Sequence, residues 1–212
     1  MNKNLLIFGN TELAEVSYFY FDKYSDYNIK GFVVDEEYFD SKKFLGKNNY
    51  VTSEITNNNN FKNDNNIFLA IGYSKNNLIR TEKYNYFKKS GFNFASFISD
   101  KSSIFTNLIG ENCFILEDNT IQPFTSVGNN TILWSGNHIG HHSKIGNNCF
   151  ISSHVVISGN CIVGDNTFIG VNSSIADGTN IGKSSFIGMG VNITKDIDDE
   201  AKVTIKNNSQ YL

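Results

Sequence analysis

The chain has 212 residues, 40% of them hydrophobic and 18% charged, and its 18 Lys plus Arg stand against 21 Asp plus Glu for a formal net charge of −3. Such a length buries the core of one large or two small domains, and thin positive charge, with Arg80 as the only arginine, leaves no basic stripe for nucleic acid. No apolar run approaches the roughly 20 residues of a bilayer span, no signal-peptide pattern opens the sequence, and Cys113, Cys149 and Cys161 lack the pairing of a disulfide framework, so the expected compartment is the reducing cytoplasm.

Asn4 to Phe8 is an apolar run that predicts a strand, and Gly9-Asn10 is a turn signal. Thr11 to Tyr24 has helical spacing with Leu13, Val16 and Tyr20 on one side. Gly31-Phe32-Val33-Val34 is a β-branched run ending in Asp35, and the asparagine run Asn57 to Asn60 reads as a flexible surface loop. Ile67 to Gly72 reads as a buried strand, Lys75 to Lys89 as a helix and Phe92 to Phe97 as a short strand. Alternating strands and helices imply an α/β, Rossmann-like domain whose parallel sheet binds its ligand at the carboxyl ends of the strands. Phosphates would there meet Gly9, Asn10, Thr11 and Glu12, and Asp35 is placed to bond a base or ribose. A dinucleotide fingerprint has three glycines, of which Gly9-Asn10-Thr11-Glu12-Leu13-Ala14 keeps the first; an ordinary tight turn in a βαβ unit is the alternative.

From Ile109, every sixth residue as far as Ile193 is Ile, Val or Leu, and the residue four places later is nearly always small, as at Cys113, Thr125, Ser143, Cys161 and Ser185. A period of six fits neither a helix nor simple strand alternation. It fits a triangular solenoid of about five coils, with the aliphatic residues stacked inside, the small residues filling the remaining core and glycine at the corners. All three cysteines fall at the small inward position, which makes them core residues rather than nucleophiles. Trp134 stands where a glycine is usual and reads equally as a groove or a core residue.

A β-α-β half followed by hexapeptide coils resembles, over essentially the whole chain, the bacterial sugar O- and N-acyltransferases that include the sialic acid O-acetyltransferases and the nucleotide-linked amino-sugar N-acetyltransferases. The resemblance implies a Rossmann-like nucleotide-sugar domain at 1–98, a left-handed parallel β-helix holding acetyl-CoA at 99–196, and a C-terminal tail at 197–212. It implies a homotrimer with its active sites in grooves between neighbouring β-helices, no bound metal, and a part in surface-glycan biosynthesis. Asp35 and Gly72 match the family's nucleotide-sugar positions, beside Gly9, Asn10, Thr11 and Glu12. The glycine-rich loop is a departure, and so is Ala201-Lys202-Val203, which lacks the proline of the family's Gly-x-Pro-Ala-Lys ending.

All the histidines, His138, His141, His142 and His154, fall in one short window, at hexad positions expected to face outward. The family's base lies in a His-x-x-x-Ile-Gly stretch, here His141-His142-Ser143-Lys144-Ile145-Gly146, so the resemblance assigns the general base to His141. An imidazole, which ordinarily titrates near pH ~6.5, accepts a proton at neutral pH, an effect worth about 10² to 10⁴ in rate. Relatives often follow the base with an orienting acid, and His142 takes that place here. Three hexads per coil stack His141 under Gly159, where the resemblance places a backbone N–H that holds the oxyanion. His138 and His154 are expected to line the substrate or acyl-donor groove. The reading adopted is acetyl transfer from acetyl-CoA to a nucleotide-linked amino sugar by direct attack on the thioester, with His141, His142 and Gly159 as the catalytic set. A hydroxyl acceptor, as in the sialic acid enzymes, is the alternative. A zinc-dependent hydratase using three outward histidines and a non-catalytic nucleotide-binding module are the competing classes.

Overall fold

The computed structural model describes residues 3–205. They divide into two compact units, one running to Phe97 and also holding Glu111–Cys113, the other comprising Ile98–Gly110 and the chain from Phe114 onward. The division is therefore not a single cut near residue 98. Glu111 belongs to the first unit because its carboxylate accepts hydrogen bonds from Tyr84 and Lys88, and the Asn112 side chain accepts one from the Leu69 N–H at 2.9 Å.

In the first unit β1 (Asn4–Phe8), β2 (Asn28–Val34), β3 (Asn48–Val51), β4 (Asn65–Leu69) and β5 (Asn93–Phe94) form a parallel sheet in the order β3-β2-β1-β4-β5. Leu5, Leu6, Ile7, Ile67, Phe68 and Leu69 are buried without interruption, as strands covered on both faces require. Helices α1 (Glu12–Tyr24), α2 (Thr52–Thr56), α3 (Asn59–Asp64) and α4 (Leu78–Lys89) supply the crossovers. The chain leaves β1 towards β2 and returns on its other side as β4, so a crevice opens at the carboxyl ends of β1 and β4.

Several expectations shift for local reasons. The buried face of α1 is Ala14, Ser17 and Phe21, one position round from the apolar stripe, and Ser17 is tolerated because its hydroxyl donates to the Leu13 carbonyl at 2.6 Å. Helix α4 starts at Leu78 rather than Lys75, since Lys75, Asn76 and Asn77 all have left-handed backbones. The run Asn57 to Asn60 is no flexible loop: Asn57 closes α2, and Asn58 caps α3 by accepting from the Asn60 N–H at 3.0 Å. Arg80 is fully buried in α4, where its guanidinium donates to the carbonyls of Ile71 and Gly72 and to the Asn77 side chain.

The second unit is a parallel β-helix of three sheets whose two-residue rungs repeat every coil: Phe114–Ile115, Ile132–Leu133, Phe150–Ile151, Phe168–Ile169 and Phe186–Ile187 lie in register one above another. The aliphatic series is buried from Ile115 to Ile193, whereas Ile109 is half-buried. The small position does more than fill space. Thr125, Thr131, Ser143, Cys149, Cys161, Thr167 and Ser173 each donate to a carbonyl 15 residues ahead, at 2.8–3.2 Å. These hydroxyls and thiols satisfy carbonyls that the corners leave over.

Glycine is not what turns most corners. The left-handed corner residue is most often asparagine, as at Asn130, Asn148, Asn160, Asn166 and Asn172, the L-residue that best tolerates this conformation. Glycine after the aliphatic residue answers a different need, close approach: a Cβ on Gly128 would stand 2.6 Å from the Gly146 carbonyl carbon of the next coil. Beyond the expected end of the coil, Ile197 bridges to Ile181 and Lys202–Val203 pairs with Phe186–Ile187, so the segment read as a tail extends the stack. The rest of that expected tail, from residue 206, lies outside the described residues. No helix among the described residues is long and apolar enough to cross a membrane.

Ile157→Val is expected to cost about 1 kcal/mol, and Ile157→Asp, which buries an unpaired carboxylate, about 3 kcal/mol or more with several coils unfolding together. Urea unfolding followed by circular dichroism reads both. Arg80→Met leaves two carbonyls without their charged donor and is expected to lower stability by about 2–3 kcal/mol in the same measurement.

Candidate active site

One corner of the β-helix brings together His141, His142 and Gly159. His141 and His142 occupy the turn after the rung His138–Ile139, and both are exposed. The His141 N–H donates to Gln122 Oε1 of the preceding coil at 2.9 Å, and its carbonyl accepts from the Asn160 N–H of the following coil at 2.8 Å. These bonds set the ring directly against Gly159: a Cβ there would stand 2.6 Å from His141 Cε1 and 2.9 Å from Nε2. Any side chain at 159 would displace the imidazole. Gly159 is buried, and its N–H finds no acceptor among the described residues, an arrangement that favours an incoming oxygen. One coil further on, Asp177 Oδ1 stands 2.8 Å from the same Cβ position, so a carboxylate faces the imidazole across the bare glycine backbone. His142 is left-handed, its ring lies 4.6 Å from that of Phe124, and its Nδ1 is 3.2 Å from His141 Nδ1.

The other two histidines do not join this cluster. His138 is half-buried in a rung, paired with Thr120 and Val156. His154 turns a different corner, where its ring covers Gly136, whose Cβ would lie 2.5 Å from His154 Nδ1. No group of three or more His, Cys, Asp or Glu among the described residues is arranged to hold a metal ion. Cys161 is buried, and burial pushes its thiol up. Trp134 is half-buried, with its ring centroid 6.5 Å from that of Phe150.

In the first unit a cleft of about 270 Å³ lies at the carboxyl ends of β1, β2 and β4. Gly9, Asn10, Thr11, Asp35 and Gly72 all line it, and Glu12, the first residue of α1, does not. Gly9 has φ of 119°, and a Cβ there would press on the Ala70 carbonyl oxygen at 3.0 Å, so the turn admits only glycine. Asp35 Oδ1 accepts from Lys83 Nζ at 2.6 Å and Thr52 Oγ1 at 3.0 Å. Lys83 also lies 5.5 Å from the centre of the Phe8 ring. Sequence reasoning missed Lys83 because no local pattern links it to Asp35; Gln122 and Asp177 were open to the coil spacing that paired His141 with Gly159. The buried Arg80 holds the Ile71 and Gly72 carbonyls that border the cleft.

Residues 124–159 match the family described as bacterial transferase hexapeptide (six repeats), and residues 160–195 match the hexapeptide repeat of succinyl-transferase. No curated protein sequence matches the chain. Among solved structures, the acetyltransferase domain of PglB from Neisseria gonorrhoeae is similar with a TM-score of 0.83 and 20% identity, covering 100% of each chain. PerB from Caulobacter crescentus, solved with CoA and GDP-perosamine, has a TM-score of 0.81 and 18% identity over 95% of this chain and 94% of its own. WeeI from Acinetobacter baumannii has a TM-score of 0.79 and 17% identity over 99% of this chain and 100% of its own. Residues 124–195 thus carry hexapeptide repeats of the kind found in two transferase families, and the coil they form fits the left-handed β-helix.

Proposed function

We propose that the chain is an acetyl-CoA-dependent acetyltransferase acting on a nucleotide-linked amino sugar. The observation that carries this reading is the imidazole of His141 lying against Gly159, whose N–H has no acceptor among the described residues, which sets a base beside an oxyanion donor. The similar PerB structure holds CoA and GDP-perosamine, which supports the same pair of substrates here. His141 Nε2 takes a proton from the sugar amine as its nitrogen attacks the thioester carbonyl. The Gly159 N–H receives the developing oxyanion, the carbon–sulfur bond breaks, and the coenzyme A thiolate leaves and takes up a proton. Asp177 beside the glycine draws an acceptor that arrives as an ammonium and gives one proton to solvent before the neutral amine attacks, which favours an amine over a hydroxyl.

The first unit serves as the Rossmann-like nucleotide domain, with Gly9, Asn10, Thr11 and Gly72 around the diphosphate sugar and Asp35 on the base or ribose. The same reading has the enzyme as a cytoplasmic homotrimer in surface-glycan synthesis; three buried free thiols suit that compartment, and Phe124, 72% exposed beside His142, suits a covering neighbour.

Mixing the protein with acetyl-CoA and UDP-, dTDP- and GDP-linked amino sugars is expected to release free thiol with one of them. His141→Ala is expected to lower kcat by about 10² to 10⁴ with little change in acceptor KM. Gly159→Ala, whose methyl displaces the imidazole, is expected to lower kcat at least about tenfold. A folded His141→Ala protein with undiminished kcat would overturn the base, transfer only to hydroxyl sugars would overturn the amine, and no release of thiol with any acceptor would overturn the reaction class.

A further inference from the structure

The two adjacent imidazoles form a pair with one proton to share. His141 Nδ1 and His142 Nδ1 are 3.2 Å apart, the rings nearly perpendicular at 84°. Both backbones are held. The His142 N–H donates to the Pro123 carbonyl at 3.2 Å and its ring lies over Phe124, while the His141 backbone bonds Gln122 and Asn160 and its ring lies against Gly159. Two imidazole nitrogens at this separation bond only if one carries hydrogen and the other a lone pair. If His142 donated, neutral His141 would carry its proton on Nε2, the nitrogen beside Gly159, and could accept none there. If His141 donates, its Nε2 lone pair lies beside the glycine.

We infer that His142 is a positioning residue that accepts the Nδ1 proton of His141 and so holds it in the tautomer whose Nε2 is free to act as the base. The inference rests on the assignment of the base to His141. It has a consequence that a carboxylate in the same place would not have. A neutral imidazole accepts at Nδ1 only while unprotonated; once His142 gains a proton, its Nδ1 becomes a donor and drives the His141 proton round to Nε2. Activity then requires two imidazoles to be neutral, and the acid limb of the rate profile steepens from one proton towards two. The residues of the preceding coil against the pair, Gln122, Pro123 and Phe124, carry no charge, nor does Asn160 in the following coil. The Asp177 carboxylate faces His141 across Gly159, and the exposed Lys144 follows the pair along the chain.

The left-handed backbone of His142 makes two substitutions easy to accommodate, because glycine and asparagine both adopt it. His142→Gly removes the acceptor, and His142→Asn offers a carbonyl oxygen that does not titrate. His142→Gly is expected to lower kcat about 10²-fold with acceptor KM nearly unchanged, through loss of the productive tautomer. His142→Asn is expected to recover most of that loss, with an acid limb of slope one in place of two. Nitrogen-15 NMR of the ligand-free wild-type protein is expected to show His141 protonated on Nδ1, with the preference lost in His142→Gly. An active wild type with His141 protonated on Nε2, or a folded His142→Gly protein that keeps both kcat and the acid limb, would overturn the inference. The NMR reading needs no turnover: an inactive wild type with Nδ1-protonated His141 would sink the transferase reading and leave the tautomer assignment standing.

Discussion

The parallel ladder between successive coils is the constraint on which the second unit depends. Each rung donates its N–H groups to carbonyls of the coil beyond, as Ile132 does to Cys149 and Phe150 to Thr167, both at 3.0 Å. This locks equivalent residues of successive coils into columns. Aliphatic residues fill the inner columns, small hydroxyls and thiols satisfy the leftover carbonyls, and asparagine turns the corners. The proposed catalytic corner is one more column, in which His141 presents a ring, Gly159 withdraws its side chain and Asp177 returns a carboxylate, while Gln122 of the preceding coil steadies the backbone. A base needs an unchanging distance to its oxyanion donor, and neighbouring rungs of a ladder supply one without any loop.

The first unit solves a different problem with a sheet. Its cleft opens where the chain reverses direction about β1, between the Gly9 and Ile71-Gly72 segments, with Phe8, Tyr38 and Lys83 also lining it. Arg80 stiffens the second of these segments from inside α4 by donating to its carbonyls. Asp35 is held by one oxygen, Oδ1, between Lys83 and Thr52, which fixes the plane of its carboxylate at the cleft. Such pre-set groups spare a ligand the entropy of ordering them.

The coil was legible in the sequence because its period is rigid: the inward columns are read by stepping six residues, and the neighbour of His141 by stepping three hexads. The corners were misread because glycine was expected at left-handed positions that asparagine often fills. In the first unit β1, α1, β2 and β4 were plain from apolar runs, whereas β3, α2 and α3 lie in polar sequence, with only Thr52 and Ile55 buried among them. Lys83 reached Asp35 through tertiary packing alone, over 48 residues of chain, and no spacing rule anticipates that. The clustering of four histidines in sequence overstated their clustering in space, because one coil has three corners and the histidines fall at two of them and in a rung between.

The ladder also gives the active corner an angular phase. Neighbouring coils contact only each other, so whole coils added or removed away from residues 141–159 would leave the imidazole and its glycine facing as they do. Six residues gained or lost between them would leave the inward pattern intact, since one hexad replaces another. They would nonetheless carry Gly159 a third of the way round the triangle, to a different face. In this architecture stability reads the sequence modulo one hexad and the proposed catalytic pairing reads it modulo one full turn, so a chain can drift in length while holding its fold and lose that pairing in a single slip.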